Sequence, residues 1–588
     1  MPRVWWHWMN GNVTKEGITA DLEWMHRVGI GGMQMFDGSL GTPRFVENRL
    51  VWMTPGWKDA FRHAAAEADR LGLEMTMTAS GGWSESGGWS ESGGPWVTPQ
   101  QAMKKVVWSE TRVSGPRRFA GVLPTPPSVN GPFQGMQNGP DLAFPGDTGL
   151  PGAKPLPAER PAGPDPTVYA DTKVLAYRLP DADVRMADLK PAVTSAAGAV
   201  DAATLMDGDF GKTVSVALPE GAPETWVQFA FARPFRAQAF TFGGAPGLQF
   251  VGGPPVPDGR VEASQDGRTW TTLVALPGPG HPTANFAART YTFPATSARF
   301  YRVVMKRPAP NPFGAAFGIG PAKAITILEL EFSAAPRVNR WEEKAQYGNM
   351  TDYGPAVATP AAPGAVPVRD VVDLTSRLRP DGTLDWQVPA GRWAVLRMGY
   401  SLEGTKNHPA SPEATGYEVD KLNRAHVAAY IQHYTDQIKG ALGSYYGRSF
   451  RYLLTDSYEA GMENWTDDMV AQFRARRGYD PTPYLPVLAG RVIGSAAASD
   501  KFLWDFRRTI ADLFADHHYG TINEALKKDG VGLDAEAMGA DFPTSGEGLQ
   551  DKGRVTIPMG EFWTPGPGQD DGASHMADMK EAASAAHI

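Results

Sequence analysis

The sequence predicts an α/β chain: a parallel (β/α)8-type barrel, incomplete at seven strands, interrupted by a large inserted β-sandwich. Three observations carry this. Strand-like and helix-like segments alternate up to about residue 105. Short alternating strands then dominate as far as about Leu402. The strand–helix alternation returns after that and runs to the last residue, Ile588.

The first part reads in order. Val4–Met9 is an apolar, aromatic strand that ends in Asn10-Gly11-Asn12. Thr14 is a candidate N-cap, and Ile18, Leu22, Met25 and Val28 recur at helical spacing after it. Gly32–Phe36 is a second strand ending at Asp37-Gly38. Thr54-Pro55 opens a helix to Leu71, which Gly72 closes. Leu73–Thr78 is a third strand. The loop after it holds a tandem repeat, Trp83-Ser84-Glu85-Ser86-Gly87-Gly88 followed by Trp89-Ser90-Glu91-Ser92-Gly93-Gly94. Two copies of a hexapeptide do not make a solenoid and read as a local duplication.

The middle part is Pro/Gly-rich from about 114 to 166, and β-rich from about 184 to 335. Trp226–Phe231, Ala239–Phe242, Gly259–Ala263, Phe300–Met305 and Ile325–Phe332 are its clearest strands. The last part predicts a strand at Trp393–Met398, a helix over Asp420–Leu442 and a strand at Phe450–Thr455. Helices at Thr466–Arg477 and Phe502–Lys528, strands at Val531–Glu536 and Val555–Met559, and a helix from Ser574 complete it. Seven barrel strands are counted, and the eighth is expected beyond Ile588. The predicted domains are 1–105 and 391–588 for the barrel, 106–183 and 336–390 for connections, and 184–335 for the sandwich. A doubly wound open sheet is the competing architecture.

Composition narrows the function. A length of 588 residues suggests two to four domains at roughly 100–200 residues each. Gly 66 and Pro 51 exceed the ordinary share of roughly 12%, without a collagen period. The 42% hydrophobic content excludes a disordered chain. A net charge of −8 opposes nucleic-acid binding. The absence of cysteine excludes disulfides, thiolate catalysis and Cys-ligated zinc. No apolar run of membrane-spanning length occurs. The chain goes from Met1-Pro2-Arg3 straight into Val4-Trp5-Trp6, so no leader peptide is legible. Eighteen tryptophans favour core packing and, in part, stacking on sugar rings.

Barrel sites gather at the C-terminal ends of strands. That rule brings together His7, Trp8, Asn10, Asp37, Trp83, Glu85, Tyr400, Asp456, Glu459, Glu536 and Glu561. No Ser–His–Asp order and no phosphate-binding Gly-rich loop is present. The set suits glycosidic bond cleavage by two carboxyl groups, one held protonated and one ionised. Each residue also has a plainer reading. Asp456 at a strand end can cap a turn, His7 among tryptophans can be a core histidine, and Glu459 or Glu561 can be a solvated loop residue. Scattered carboxylates can also gather a hard cation such as calcium.

Several long motifs resemble glycoside hydrolase family 106. They are Val4-Trp5-Trp6-His7-Trp8-Met9-Asn10-Gly11-Asn12, the Gly31–Asp37 run, Trp83-Ser84-Glu85, Pro389-Ala390-Gly391-Arg392-Trp393, and Thr455-Asp456-Ser457-Tyr458-Glu459-Ala460-Gly461 with Asn464-Trp465-Thr466. The resemblance implies a barrel fold and calcium-dependent, inverting hydrolysis of α-L-rhamnosides, with a rhamnose-containing glycoside or polysaccharide as substrate. It implies Glu459 as general acid, Asp456 beside it, and Glu561 with Asp456 as calcium ligands. His7, Trp8, Asn10, Asp37, Trp83, Glu85, Tyr400 and Glu536 are then the substrate-binding candidates. The family's general base is expected past Ile588, which would leave this chain weak or inactive. A periplasmic or extracellular location is the family's usual one. The duplication leaves open whether Glu85 or Glu91 takes the single family position.

The 184–335 segment resembles a discoidin-like, galactose-binding-type module in Asp207-Gly208-Asp209, Trp226–Phe229, Ser264–Trp270 and Ser297–Val303. Asp207 and Asp209 read as a plain turn or as a structural calcium site. Two rival functions stand beside the hydrolase: a non-catalytic rhamnose-binding protein, and a glycosidase of other sugar specificity.

Overall fold

The computed structural model describes residues 1–90, 94–139, 151–154, 166–181, 183–245, 258–276, 288–308, 321–348, 357–538, 545–561 and 572–588. Its centre is a parallel sheet of six strands. In chain order these are β1 (Arg3–Met9), β2 (Gly32–Gly38), β3 (Glu74–Thr78), β4 (Phe450–Ser457), β5 (Gly532–Ala537) and β6 (Ile557–Pro558), and they lie side by side in that same order. The main helices between them are α1 (Lys15–Arg27), α2 (Pro55–Leu71), α3 (Arg424–Leu442), α4 (Met469–Arg477), α5 (Ala496–Leu513), α6 (Gly520–Lys527), α7 (Gly548–Lys552) and, after β6, α8 (Gly572–Ala586).

The caps explain the first helices. The Thr14 hydroxyl accepts from the Gly17 N–H and starts α1. Thr54 does the same for the Trp57 N–H ahead of Pro55, and Gly72 ends α2 at φ 69°. Period two divides β1: Trp6 and Trp8 face the helices, whereas Arg3, Trp5 and His7 face the other side. Trp6 donates to Asp21 on α1 at 3.0 Å, and Trp8 packs edge-on against Trp57 on α2 at 5.8 Å.

The sheet curls. In a flat sheet β1 and β5 would lie four spacings apart, about 19 Å. Yet Arg3 Nη1 reaches Asp534 Oδ2 at 2.9 Å and its Nη2 reaches Glu74 at 2.6 Å, over the ring of Tyr452. One layer higher, Gln34 on β2 meets Met559 just after β6 at 3.7 Å. These contacts cross a lumen, so the parallel strands wrap around their own inner side chains.

The sequence count of seven strands needs correction. Residues Thr383–Leu402, which include Trp393–Met398, are not in the parallel sheet; β3 pairs directly with β4. That long strand instead lies in a four-stranded antiparallel sheet with Lys104–Val122, Ala170–Arg178 and Val371–Asp373. The two segments predicted as connections therefore meet in one sheet with its own core, including Trp386, Trp393 and Val395. A second antiparallel assembly of eight strands spans Ala192 to Ser333 and has a separate core rich in phenylalanine. Among the described residues, no helix is long and apolar enough to cross a membrane.

Candidate active site

The inner, C-terminal end of the parallel sheet carries the carboxylates. Asp456 closes β4 and Glu536 closes β5, and both are buried. The two side chains share a hydrogen bond, and burial pushes both well above the ordinary carboxyl range; the Asp456 charge adds to this at Glu536, whereas the shared hydrogen bond opposes it at Asp456. The further charges bearing on them include Glu561, Glu459 and Asp578, all carboxylates. Glu536 Oε2 is buried without a hydrogen-bond partner among the described residues. Glu561, just beyond β6, has its backbone N–H on Asp578 Oδ2 at 2.6 Å.

Glu459 lies on the turn after β4 and is fixed from two sides. The Ser457 hydroxyl donates to its Oε1 at 3.0 Å. His408 Nε2 lies 3.7 Å from its Oε2. His408 comes from the segment that follows the antiparallel strand ending at Leu402, and its backbone N–H donates to Ser84 Oγ at 2.8 Å.

Ser84 belongs to the first hexapeptide copy, and almost every residue of that loop is tied down. The Asn407 amide donates to Gly81 O at 2.8 Å, and Ser84 Oγ donates to His408 O at 2.9 Å. Ser86 Oγ donates to Glu418 Oε2 at 2.5 Å, and Lys421 donates to the same oxygen at 2.8 Å. Glu85 is fully buried, 2.8 Å from His518 Nε2 and 3.2 Å from the Tyr519 hydroxyl. Burial pushes its carboxyl up to about 8, with Lys421 opposing, while burial holds His518 well below the usual imidazole range. A π-helical turn over Phe514–Tyr519, continuous with α5 and α6, presents both of these consecutive side chains to Glu85. Tyr430 and Tyr434 of α3 cap the carbonyls of Ala79 and Thr78 at 2.6 and 2.7 Å.

His7 opens toward the lumen. It stacks on Phe36 at 5.1 Å and meets the edge of Trp83 at 6.4 Å. Asp37 is buried behind this group and accepts from Trp57 Nε1 at 2.8 Å; burial pushes it up to about 7.

Three sequence candidates lie elsewhere. Trp8 is 1% exposed and belongs to the helix-facing core, because period two turns it away from His7. Asn10 is a turn residue at φ 52°, its amide spent on Thr42 O and Arg49. Tyr400 sits on the antiparallel strand, its ring 5.8 Å from Lys104 Nζ. It accompanies Asp420 and Asp467, not the Asp456–Glu536 pair. The second repeat copy cannot be compared, since Glu91 lies outside the described residues.

Among the described residues, Asp420, His426 and Asp467 bring one ligand atom each within 4.8 Å of one another, a group that could hold a metal. Buried Lys104 already stands there, 2.8 Å from Asp420 Oδ2 and 3.6 Å from Asp467 Oδ1, and supplies a positive charge. Asp207 and Asp209 likewise bind Lys212 at 2.8 and 3.0 Å, as a turn does.

Sequence reasoning passed over His408, Glu418, Lys421, His518 and Tyr519. The only local signal was the polar run Thr405-Lys406-Asn407-His408 placed directly after a strand.

The structure of a rhamnosidase from Novosphingobium sp. PP1Y superposes with a TM-score of 0.82 and 39% identity, over 100% of this chain and 50% of that one. A protein of Formosa agariphila with a provisional beta-glucuronidase name is 27% identical over 564 residues, 96% of this chain and 31% of that protein. The chain thus spans half the length of the first relative and less than a third of the second. The glycoside hydrolase family 106 profile, described as alpha-L-rhamnosidase, matches residues 1–588, and the chain belongs to that family.

Proposed function

We propose that this chain carries the acid and sugar-binding parts of an inverting, calcium-dependent α-L-rhamnosidase with a (β/α)8-type barrel. The observation that supports it most is the placing of Glu459. Its carboxyl is held by Ser457 and His408 at the mouth of the curled sheet, beside the buried Asp456–Glu536 pair. In this reading Glu459 gives its proton to the glycosidic oxygen as the bond to the anomeric carbon breaks. The stacked His7 and Phe36, with Trp83 at their edge, form an apolar shelf for the sugar ring.

The donor set fits calcium. Asp456 and Glu536, with Glu561 near them, offer oxygen only, and the unpartnered Glu536 Oε2 is an open donor position. A bound calcium ion would offset the buried negative charge and present coordination positions to sugar hydroxyls. The carboxylates orient the sugar, and His408 and Ser457 hold the acid. Water activation is assigned to none of these three carboxylates.

The provisional glucuronidase name of one relative suggests an acidic sugar. With calcium offsetting the charge of Asp456, Glu536 and Glu561, charge does not choose between the two sugars, and the rhamnosidase family match over residues 1–588 favours the rhamnoside.

The test is Glu459→Gln, assayed on α-L-rhamnosides with good and poor leaving groups. Loss of a general acid lowers the rate on the poor leaving group by roughly 10²–10⁴-fold and spares the good one. An equal loss on both substrates would remove Glu459 from the acid role.

A further inference from the structure

The contact between Glu459 and His408 does more than hold a side chain. His408 Nδ1 lies 3.2 Å from Lys406 O and 3.3 Å from Ser84 Oγ; the carbonyl can only accept, and Ser84 already donates to His408 O, so Nδ1 carries a proton. Nε2 is the atom left for Glu459 Oε2, 3.7 Å away. Glu459 cannot swing freely, because Ser457 donates to its other oxygen at 3.0 Å. The imidazole is fixed as well, since both its backbone N–H and C=O are hydrogen-bonded to Ser84 Oγ. At 3.7 Å the contact is longer than a hydrogen bond, as catalytic contacts commonly are before substrate binds.

We propose that His408 is a positioning residue for the Glu459 proton: its Nε2 faces the acid, and the two side chains hold one proton between them. This rests on Glu459 being the acid of the reaction proposed above. Burial pulls the imidazole down, but the nearby Glu459 carboxylate, helped by the Lys406 carbonyl and Glu418, outweighs it, and His408 ends above the usual range. Among the described residues, the other charged groups bearing on the pair include Asp456 from β4, acting with Glu459, and Glu418, acting on His408. Ser84 and Ser457 are neutral.

The proton balance is simple. The proton leaves Glu459 for the glycosidic oxygen, which takes the bonding electron pair from the anomeric carbon, while a water oxygen bonds to that carbon from the opposite face and gives its extra proton to solvent. A carboxylate then remains beside a neutral imidazole. The pair regains its single proton from solvent after the leaving alcohol departs.

A shared proton is lost at a higher pH than a lone carboxyl would lose it. The experiment is the pH profile of kcat/KM on a poor-leaving-group α-L-rhamnoside at saturating calcium, for the parent, His408→Gln and His408→Leu. The alkaline limb is expected to move to lower pH by about one unit or more in both variants. At the acid end of the profile, below about pH 4, rates should stay within about tenfold, since excess protons in solution replace the help of His408. A uniform loss at every pH would overturn the proposal, because a purely structural histidine scales the whole profile. A second readout needs no turnover. The ¹⁵N titration of the His408 imidazole should move to lower pH by about one unit in Glu459→Gln. An unmoved midpoint overturns the pairing. A moved midpoint in a protein that does not hydrolyse rhamnosides keeps the pairing and rejects only the reaction.

Discussion

Glu85 Oε2 lies 2.8 Å from His518 Nε2, although 433 residues separate them in sequence. Both are fully buried, and Tyr519 donates to the other carboxyl oxygen. The pair anchors the first copy of the hexapeptide repeat to the π-helical turn. That loop in turn supplies Ser84 to His408. A chain of contacts therefore runs from the helical layer to the proposed acid.

Burial pushes the Glu85 carboxyl up to about 8, which favours its neutral form at pH 7. Glu85→Gln keeps its shape and its donor, and is expected to cost less than about 1 kcal/mol. Glu85→Ala leaves His518 and Tyr519 without a partner and opens a hole, at a cost of about 2–4 kcal/mol. Urea denaturation at pH 7 separates the two. Equal losses would mean that the carboxylate charge, not the hydrogen bonds, matters.

Gly82 is a second anchor of the same loop. Its φ is +79°, and a Cβ there would lie 2.4 Å from His408 O. Gly82→Ala is expected to destabilise by about 2 kcal/mol or more, from left-handed strain and the clash together. It should also lower rhamnoside turnover more than substrate affinity, because the displaced residue is His408. Thermal melting and a kcat against KM comparison check this.

The buried pair Asp456 and Glu536 makes a pH prediction. Folding raises both carboxyls, so the native state keeps protons that the unfolded chain gives up from about pH 4. Stability without metal therefore falls as pH rises above that range, toward and through the folded values. In chelator, the melting temperature should drop between pH 5 and pH 8, and Asp456→Asn or Glu536→Gln should reduce the drop. Calcium at a hundred times its Kd should add about 2.7 kcal/mol to the parent and little to either variant. A melting temperature indifferent to calcium in the parent would remove this pair as the calcium site.

Much of this architecture was legible because local rules governed it. Thr14, Thr54 and Gly72 mark helix ends by their own chemistry, and the structure uses each of them there. Strand ends at Asp37, Asp456 and Glu536 follow from apolar runs that stop at a carboxylate. Trp393–Met398 misled for a physical reason. Its residues are buried on both faces, which gives the same continuous apolar run as a parallel barrel strand. Its partners, 104–122 and 170–178, lie more than two hundred residues upstream, and a Pro/Gly-rich stretch between them masks the pairing. His408 was hidden because a loop residue acquires its role only from what the loop touches. Trp8 shows the opposite error: it sits next to His7 in sequence but on the other face of the strand.

The most direct test of the account is ¹H NMR of the first sugar released from an aryl α-L-rhamnoside by the calcium-loaded full-length protein. The account predicts that the β-anomer of L-rhamnose appears first, and that chelator stops its release. Release of the α-anomer first, or hydrolysis unaffected by chelator, would contradict it.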